Sequence, residues 1–257
     1  MSVITANILG PSPGMPGIGN QLFQIAAALS YSKDYGHKAA FPCLKSPEYG
    51  NYVSNFLSSL STEECSGPFA YFCEPSFEYT EIPFTKDSVC IHNSYLQSEK
   101  YFVHNRDYIL ESFKLPKNKQ NYLVEKYSNL DDYTSLHIRR GDYLKNPNYH
   151  TNLTSTDYYG KAIDYLKPEQ LLVFSDDTKW AKDNFPDSVV VEEKEDYLEI
   201  FLMSFCKDNI IANSSFSWWG AWLNTNPSKR VVAPSNWFGP ACKASTQDLI
   251  PEPWIVI

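Results

Sequence analysis

The sequence predicts an α/β protein whose C-terminal half contains a parallel, doubly wound sheet. First, short β-branched and apolar runs alternate with helical patterns from residue 134 onward. Second, the N-terminus shows the order strand, glycine-rich loop, helix, which begins another α/β unit. Third, residues 115–119 break the pattern with a proline among lysines. We place a boundary there, between an N-terminal domain of residues 1–118 and a C-terminal domain of residues 119–257.

Composition restricts the classes of protein to which the chain can belong. Its 257 residues are 43% hydrophobic and 15% aromatic, which indicates a globular protein with a sizeable core. The net charge of −8 disfavours nucleic acid as a partner, although a small anionic ligand needs only a local basic site. Because no basic leader or bilayer-length apolar run is found, we expect a soluble, cytoplasmic protein, at most peripheral to a membrane.

The six cysteines form no C-x-x-C pair and have no zinc-like spacing with histidine. We predict free, mostly buried thiols in a reducing compartment. No D-x-D motif follows a predicted strand, so we also expect no bound metal.

The N-terminal elements are predicted in chain order. A strand over residues 3–9 leads into a Gly- and Pro-rich loop over residues 10–17. A helix follows, with Asn20 as its N-cap and Gly36 at its end. Asn20 lies at the mouth of the loop, where it either contacts a ligand or only caps the helix. Further strands are predicted at residues 39–42 and 89–92 and a helix at 101–113, whereas residues 46–85 show little periodicity.

The C-terminal half contains five predicted strands, at residues 133–136, 170–174, 188–191, 209–212 and 231–234. Helical patterns separate them, opening near Thr156, Trp180, Asp196 and Ser214. The tryptophans near residue 220 are interpreted as core. Ligands bind at the carboxyl ends of the strands in such sheets.

Polar side chains follow three of these strands. Two adjacent arginines at the end of a buried strand require anionic partners, and a guanidinium matches a phosphate with two parallel donors. A carboxylate suits guanine or a ribose diol, hydroxyls at a helix start suit a phosphate, and an aromatic ring can stack on a base. Alternatively, the arginines form structural salt bridges, one with Asp142, the aspartates form a solvated turn and the serines are N-caps. The candidate binding residues are His137, Arg139, Arg140, Asp176, Asp177, Asn213, Ser214, Ser215 and Phe216.

Five segments of the chain resemble the α-1,2-fucosyltransferases, a glycosyltransferase family 11-like group, and particularly their soluble, anchor-less type. The order and spacing match along nearly the whole chain. The matching segments are residues 17–24, 95–102, 137–143, 174–177 and 213–219.

The resemblance implies two Rossmann-like domains facing across a cleft, the GT-B arrangement, with an acceptor-side N-terminal domain and a GDP-fucose-binding C-terminal domain. It implies inversion at the anomeric carbon, no cofactor or metal, and transfer to the 2-hydroxyl of a terminal β-galactose. Arg139 is implied to hold the β-phosphate beside His137, and Asn20 to face the reaction centre. The segment from Ser214 to Phe216 is implied to line the nucleotide, and Asp176 or Asp177 to read guanine.

The sequence departs from the related enzymes in two places. The loop before Gly17 is longer than the usual glycine turn. Residues 145–150 contain no carboxylate where related α-1,6 enzymes carry a catalytic glutamate. Asp142 is the nearest candidate for the general base, or it only orients an arginine. The alternative functions are another GDP-sugar-dependent transferase with a different acceptor linkage, and a non-catalytic nucleotide-sugar-binding protein.

Overall fold

The computed structural model describes residues 1–7 and 17–257, which form two compact units. One unit comprises residues 1–117 and 245–251, and the other comprises residues 118–244 and 252–257. The assignment of acceptor and donor roles to predicted domains at 1–118 and 119–257 stays a prediction. Among the described residues, no helix has the length and apolarity needed to cross a bilayer.

The N-terminal unit contains a four-stranded parallel sheet in the order β2-β1-β4-β3. The strands are β1 (Val3–Ala6), β2 (Lys38–Ala39), β3 (Phe69–Phe72) and β4 (Ser88–Ile91). The helices are α1 (Ile18–Tyr35), α2 (Gly50–Val53) and α3 (Arg106–Ser112), with short 3-10 turns between them. Apolar side chains of β1 and β4 alternate inward, where they are buried beside the almost wholly buried helix α1.

Several predictions for this unit need correction. Helix α1 begins at Ile18, so Asn20 is its third residue and does not cap it, while Gly36 ends it in the left-handed conformation as predicted. The predicted 46–85 region contains strand β3, whose tyrosine and phenylalanines lie at a sheet edge and give no alternating pattern. Residues 101–105 form 3-10 turns before α3. The predicted loop at 10–17 and the end of the first strand largely fall on residues 8–16, outside the described residues.

The C-terminal unit contains a six-stranded parallel sheet in the order β10-β9-β8-β5-β6-β7. Its strands are β5 (Tyr133–Ile138), β6 (Gln170–Ser175), β7 (Val189–Val190), β8 (Asp208–Ile210), β9 (Val231–Ala233) and β10 (Ile255–Val256). Its helices are α4 (Lys117–Lys126), α5 (Gly141–Lys145), α6 (Tyr158–Leu166), α7 (Thr178–Asn184), α8 (Asp196–Ser204) and α9 (Ser215–Leu223). The predicted alternation of strands and helices is confirmed, and β10 is an additional strand.

Strand order reverses between β5 and β8. The chain runs from β5 outward to β6 and β7, then returns to add β8 on the other side of β5. The crevice at the carboxyl ends of β5 and β8 is therefore the switch point of the sheet, where doubly wound proteins bind ligands.

The core of this unit holds large aromatic residues. Trp218, Trp219 and Trp222 are buried and their rings contact one another, as predicted for core residues. None of the six cysteines, all of which the structure describes, forms a disulfide, but only Cys206 is buried, so the prediction of mostly buried thiols is wrong. The others lie on short strands and turns, which leave their side chains partly or fully accessible.

Candidate active site

The switch point of the C-terminal sheet brings together the polar groups that follow β5, β6 and β8. His137 lies in β5 and the two arginines follow it, Asp176 and Asp177 follow β6, and Asn213 and Ser214 lie between β8 and α9. Because all three strands are parallel, their carboxyl ends lie at one edge of the sheet. These groups are thus neighbours in space although they are separated by up to 77 positions in the sequence.

Arg139 lies between two carboxylates. Its Nη2 atom is 2.6 Å from Oδ1 of Asp142, and its Nη1 atom is 3.0 Å from Oδ2 of Asp176. The guanidinium also lies 5.6 Å from the ring centre of Tyr143. About a third of the Arg139 side chain is exposed. The guanidinium is therefore held in position by carboxylates but remains accessible to an anionic ligand.

Arg140 is tied into the protein more completely. Its Nε donates to Oδ2 of Asp177 at 3.0 Å, and its Nη1 donates to Oγ1 of Thr154 at 2.8 Å. The guanidinium lies 4.3 Å from the ring centre of Trp180, close enough for a cation–π contact. Asp177 also accepts from the Trp180 amide as the N-cap of α7. These contacts match the salt-bridge alternative for Arg140, whereas Asp177 is a helix cap and ion-pair partner and not a solvated turn.

Asp176 links the two arginine residues. Its Oδ1 accepts from the Arg140 amide at 2.9 Å, while its Oδ2 contacts Arg139. A β-carbon on Gly141 would lie only 2.7 Å from that Oδ2. Glycine at position 141 therefore leaves the space that the carboxylate needs to hold Arg139.

Two buried polar atoms at the switch point have no hydrogen-bond partner among residues 1–7 and 17–257. They are Nδ1 of His137 and Oδ1 of Asn213, on residues that are 4% and 2% exposed. Unsatisfied buried polar atoms are rare in folded proteins and each one needs an explanation. Burial, and then the charge of Arg139, lowers the pKa of His137 to about 3, so its imidazole is neutral at physiological pH.

Asn213 is fixed by the rest of its own functional groups. Its Nδ2 donates to the backbone carbonyls of Thr151 and Trp237 at 3.0 and 2.8 Å, and its backbone carbonyl accepts from the Tyr143 hydroxyl at 2.8 Å. The ring of Tyr143 stacks on His150 with centroids 4.1 Å apart. Burial raises the pKa of Tyr143 to about 12, so the hydroxyl remains a donor. Sequence reasoning missed these supports, because their carbonyl partners lie in loops without a pattern.

The start of α9 combines a cap with an aromatic ring. Ser214 is the N-cap, and its hydroxyl accepts from the Phe216 amide at 3.3 Å, which matches the capping alternative. Ser215 is the first residue of the helix and is partly exposed. The ring of Phe216 lies 5.5 Å from that of His137 and is also partly exposed. The helix start thus offers an accessible ring beside a buried imidazole.

Asn20, the remaining predicted catalytic residue, lies in the N-terminal unit. Its Oδ1 accepts from Nε2 of Gln97 at 2.7 Å, which connects α1 to the loop after β4. Among residues 1–7 and 17–257, no group of three or more His, Cys, Asp or Glu side chains has a metal-binding arrangement.

Two units built on parallel α/β sheets define the GT-B class of glycosyltransferases, a class that solved fucosyltransferase structures share. The sequence profile of glycosyl transferase family 11 matches residues 66–257. The chain therefore belongs to glycosyl transferase family 11.

Three curated relatives resemble the chain. The O-antigen biosynthesis glycosyltransferase WbnK of Escherichia coli is 43% identical over 60% of this chain, which spans 56% of the length of WbnK. An alpha-1,2-colitosyltransferase of E. coli is 29% identical, and the match covers 100% of this chain and 99% of the relative. A galactoside 2-alpha-L-fucosyltransferase of Caenorhabditis elegans is 25% identical, over 82% of this chain and 68% of that protein.

Two solved structures share the fold at low identity. The fucosyltransferase NodZ from Bradyrhizobium superposes with a TM-score of 0.55 and 14% identity, over 85% of this chain and 90% of NodZ. A mutant of Arabidopsis thaliana FUT1 in complex with GDP superposes with a TM-score of 0.53 and 12% identity, over 97% of this chain and 75% of FUT1.

Proposed function

We propose that this family 11 glycosyltransferase transfers L-fucose from GDP-fucose to the 2-hydroxyl of a terminal β-galactose, with inversion and without a metal. The C-terminal unit binds the donor at its switch point. The observation that carries the proposal is the combination there of an accessible guanidinium with two buried, unpartnered polar atoms. A diphosphate suits the first and the polar groups of a nucleotide suit the second.

The leaving group determines what the protein has to supply. As the bond between the anomeric carbon and the phosphate oxygen breaks, negative charge grows on the departing GDP. Arg139 stabilises that charge with two parallel N–H donors, a role that a metal ion fills in other transferases. Phe216 provides a face for the base, and the neutral His137 can exchange a hydrogen bond with the nucleotide.

Arg139 has to exchange a carboxylate for the phosphate when the donor binds. Asp176 is the better-held partner, because it is 24% exposed and also accepts from the Arg140 amide. Asp142 is 59% exposed and forms an ion pair three residues along the chain, an arrangement that contributes little free energy. We infer that Asp142 leaves Arg139 when GDP-fucose binds. Asp142 can then act as the general base. Alternatively, its only role is to orient the Arg139 guanidinium before the donor binds.

A second donor is favoured by one specific observation. The relative whose match spans the whole chain is named an alpha-1,2-colitosyltransferase, and it is more similar to this chain than the nematode fucosyltransferase is. The candidate donor is then a GDP-linked colitose, with the same phosphate and base contacts. Discrimination between the two donors rests on the sugar and not on the nucleotide.

The experiment measures GDP release from GDP-fucose, with and without lactose, in EDTA. Lactose-stimulated release, with an α-1,2 linkage in the product by NMR, is the expected result. GDP-mannose and a GDP-colitose donor serve as competitors, and faster turnover of the colitose donor identifies the second candidate. Tight GDP binding with no transfer to any galactoside contradicts the proposal and favours a nucleotide-sugar-binding protein.

A further inference from the structure

The sheet of the N-terminal unit has its own switch point, between β1 and β4. The chain runs from β1 to β2 on one side, and β4 lies on the other side of β1. Asn7 follows β1 and His92 follows β4, so both lie at the carboxyl edge. The side-chain Nδ2 of Asn7 is 3.2 Å from Nδ1 of His92, and both residues are exposed. This edge therefore presents a polar pair at the place where parallel sheets bind ligands.

The loop after β4 has an unusual backbone. Asn93 and Leu96 have positive φ angles of 47° and 54°, in the left-handed region that non-glycine residues seldom adopt. Such conformations persist only where surrounding contacts hold them, and they concentrate at functional sites. The Leu96 side chain is completely buried, which anchors the loop.

Glu74 supplies the contacts that hold the loop in this conformation. Its Oε2 accepts from the amides of Tyr95 and Leu96 at 3.0 and 3.1 Å, and its Oε1 accepts from the Tyr101 hydroxyl at 3.4 Å. Glu74 follows β3, so one carboxylate joins two segments at the carboxyl edge of the sheet. Its carboxylate is thus directed at the loop backbone.

The effect of this conformation is to present an aromatic pair. Tyr95 is 43% exposed although it lies between the buried residues Ser94 and Leu96, and its ring is 5.8 Å from that of Phe77. Tyr95 is three residues from His92 in the same loop. The exposed Tyr95 ring with its partly buried neighbour Phe77, and the exposed Asn7–His92 pair, match the chemistry of a galactose ring. One face of that ring carries the C–H groups of C3, C4 and C5, while its edge carries hydroxyls.

We propose that Tyr95, Phe77, His92 and Asn7 form a binding site for a terminal β-galactoside, and that Glu74 is its positioning residue. The inference rests on the proposed function, because it assigns the acceptor of that reaction to named residues. The aromatic pair contacts the apolar face of the sugar, and the Asn7–His92 pair exchanges hydrogen bonds with its hydroxyls. Glu74 keeps the backbone of residues 95 and 96 in the conformation that exposes the Tyr95 ring.

The test is a titration of the full chain with lactose by saturation-transfer NMR, in the absence of a donor. Wild-type protein is expected to bind lactose, and Tyr95→Ala is expected to raise the Kd about tenfold, the loss of one good contact. Glu74→Ala is expected to behave like Tyr95→Ala. Glu74→Gln keeps an oxygen acceptor for both amides, so lactose affinity is restored to within about twofold of wild type.

Tyr165→Ala is the matched control, because Tyr165 is 53% exposed on α6 of the C-terminal unit. GDP binding by calorimetry separates this inference from the proposed function. The expected pattern is that Tyr95→Ala retains GDP binding, while Arg139→Ala loses it and still binds lactose. Equal lactose affinity in wild type and Tyr95→Ala, or no lactose binding by wild type, overturns the acceptor site. This holds whether or not GDP binds. Failure of wild type to bind GDP counts only against the donor site.

Discussion

The carboxyl edges of the two sheets differ in the kinds of side chain they carry. In the C-terminal unit the edge holds two arginines, with a carboxylate against each guanidinium, and two buried polar atoms that lack partners in the described part of the chain. In the N-terminal unit it holds the aromatic pair Tyr95–Phe77 and the polar pair Asn7–His92, and Tyr95 lies on a loop with two left-handed residues. The same topology thus presents one edge suited to a diphosphate and one suited to a neutral sugar.

The two edges also differ in how they are held together. Charge pairs and strand ends position the arginines, so the edge of the C-terminal sheet depends on groups that compete for the same guanidinium. Backbone hydrogen bonds to one carboxylate position the aromatic loop, so the edge of the N-terminal sheet depends on conformation. Substitutions at the first edge should change binding through charge, and those at the second should change binding through shape.

The largest expected effect is that of Arg139→Ala. Removing a donor that stabilises charge in the transition state costs roughly 3–4 kcal/mol, so turnover should fall about a hundredfold or more. Arg139→Lys retains the charge without the planar pair of donors, so its turnover should lie between those of wild type and Arg139→Ala. Steady-state GDP release measures both variants. If Arg139→Ala keeps turnover within twofold of wild type, Arg139 does not stabilise the leaving group.

The second prediction concerns acid stability. The folded pKa of His137, about 3, lies below the unfolded value of about 6.5, so the unfolded chain binds more protons between these values. Stability therefore falls as pH drops through this window, by about 2 kcal/mol at pH 5 from this residue. Between pH 7.5 and 5, the free energy of unfolding of His137→Gln should therefore fall by about 2 kcal/mol less than that of wild type.

Urea unfolding followed by tryptophan fluorescence measures this difference, because all six tryptophans lie in residues 118–244 or 252–257. An identical pH dependence in wild type and His137→Gln would show that the imidazole is solvated in solution.

The third prediction uses two glycines. A β-carbon at position 141 would meet Asp176 at 2.7 Å, so Gly141→Ala should displace the carboxylate that holds Arg139 and weaken GDP binding about tenfold. Gly160→Ala in α6 is the control, because nothing lies within 4 Å of its added carbon. That variant should keep GDP affinity and gain about 0.5–1 kcal/mol of stability from helix propensity. Comparable GDP affinities in the two variants would argue against a positioning role for Asp176.

The smallest change in GDP affinity is expected for Asp142→Asn. If Asp142 only competes for Arg139, the variant should bind GDP about threefold more tightly, because one exposed ion pair no longer has to break. If Asp142 is the general base, turnover should instead fall about 10²–10⁴-fold. Calorimetry and single-turnover transfer distinguish the two roles.

The sequence by itself determined the α/β class, the alternation of elements after residue 133 and the residues of the charged edge. These are local properties, because β-branched runs, helical periodicity and turn residues act over a few positions. The tandem arginines were identifiable for a similar reason, since two charges at the end of a buried strand require partners wherever they fold.

Only the tertiary structure decided which partners those are. Asp176 meets Arg139 and Asp177 meets Arg140 because β5 and β6 pair in parallel register, which no local pattern encodes. The same applies to the unpartnered atoms of His137 and Asn213, which depend on β8 returning beside β5. Long-range contacts also decide three features of the N-terminal unit: strand β3, the left-handed loop after β4, and the hydrogen bonds from that loop to Glu74. In each, the packing of distant segments overrides the conformational preference of the individual residues.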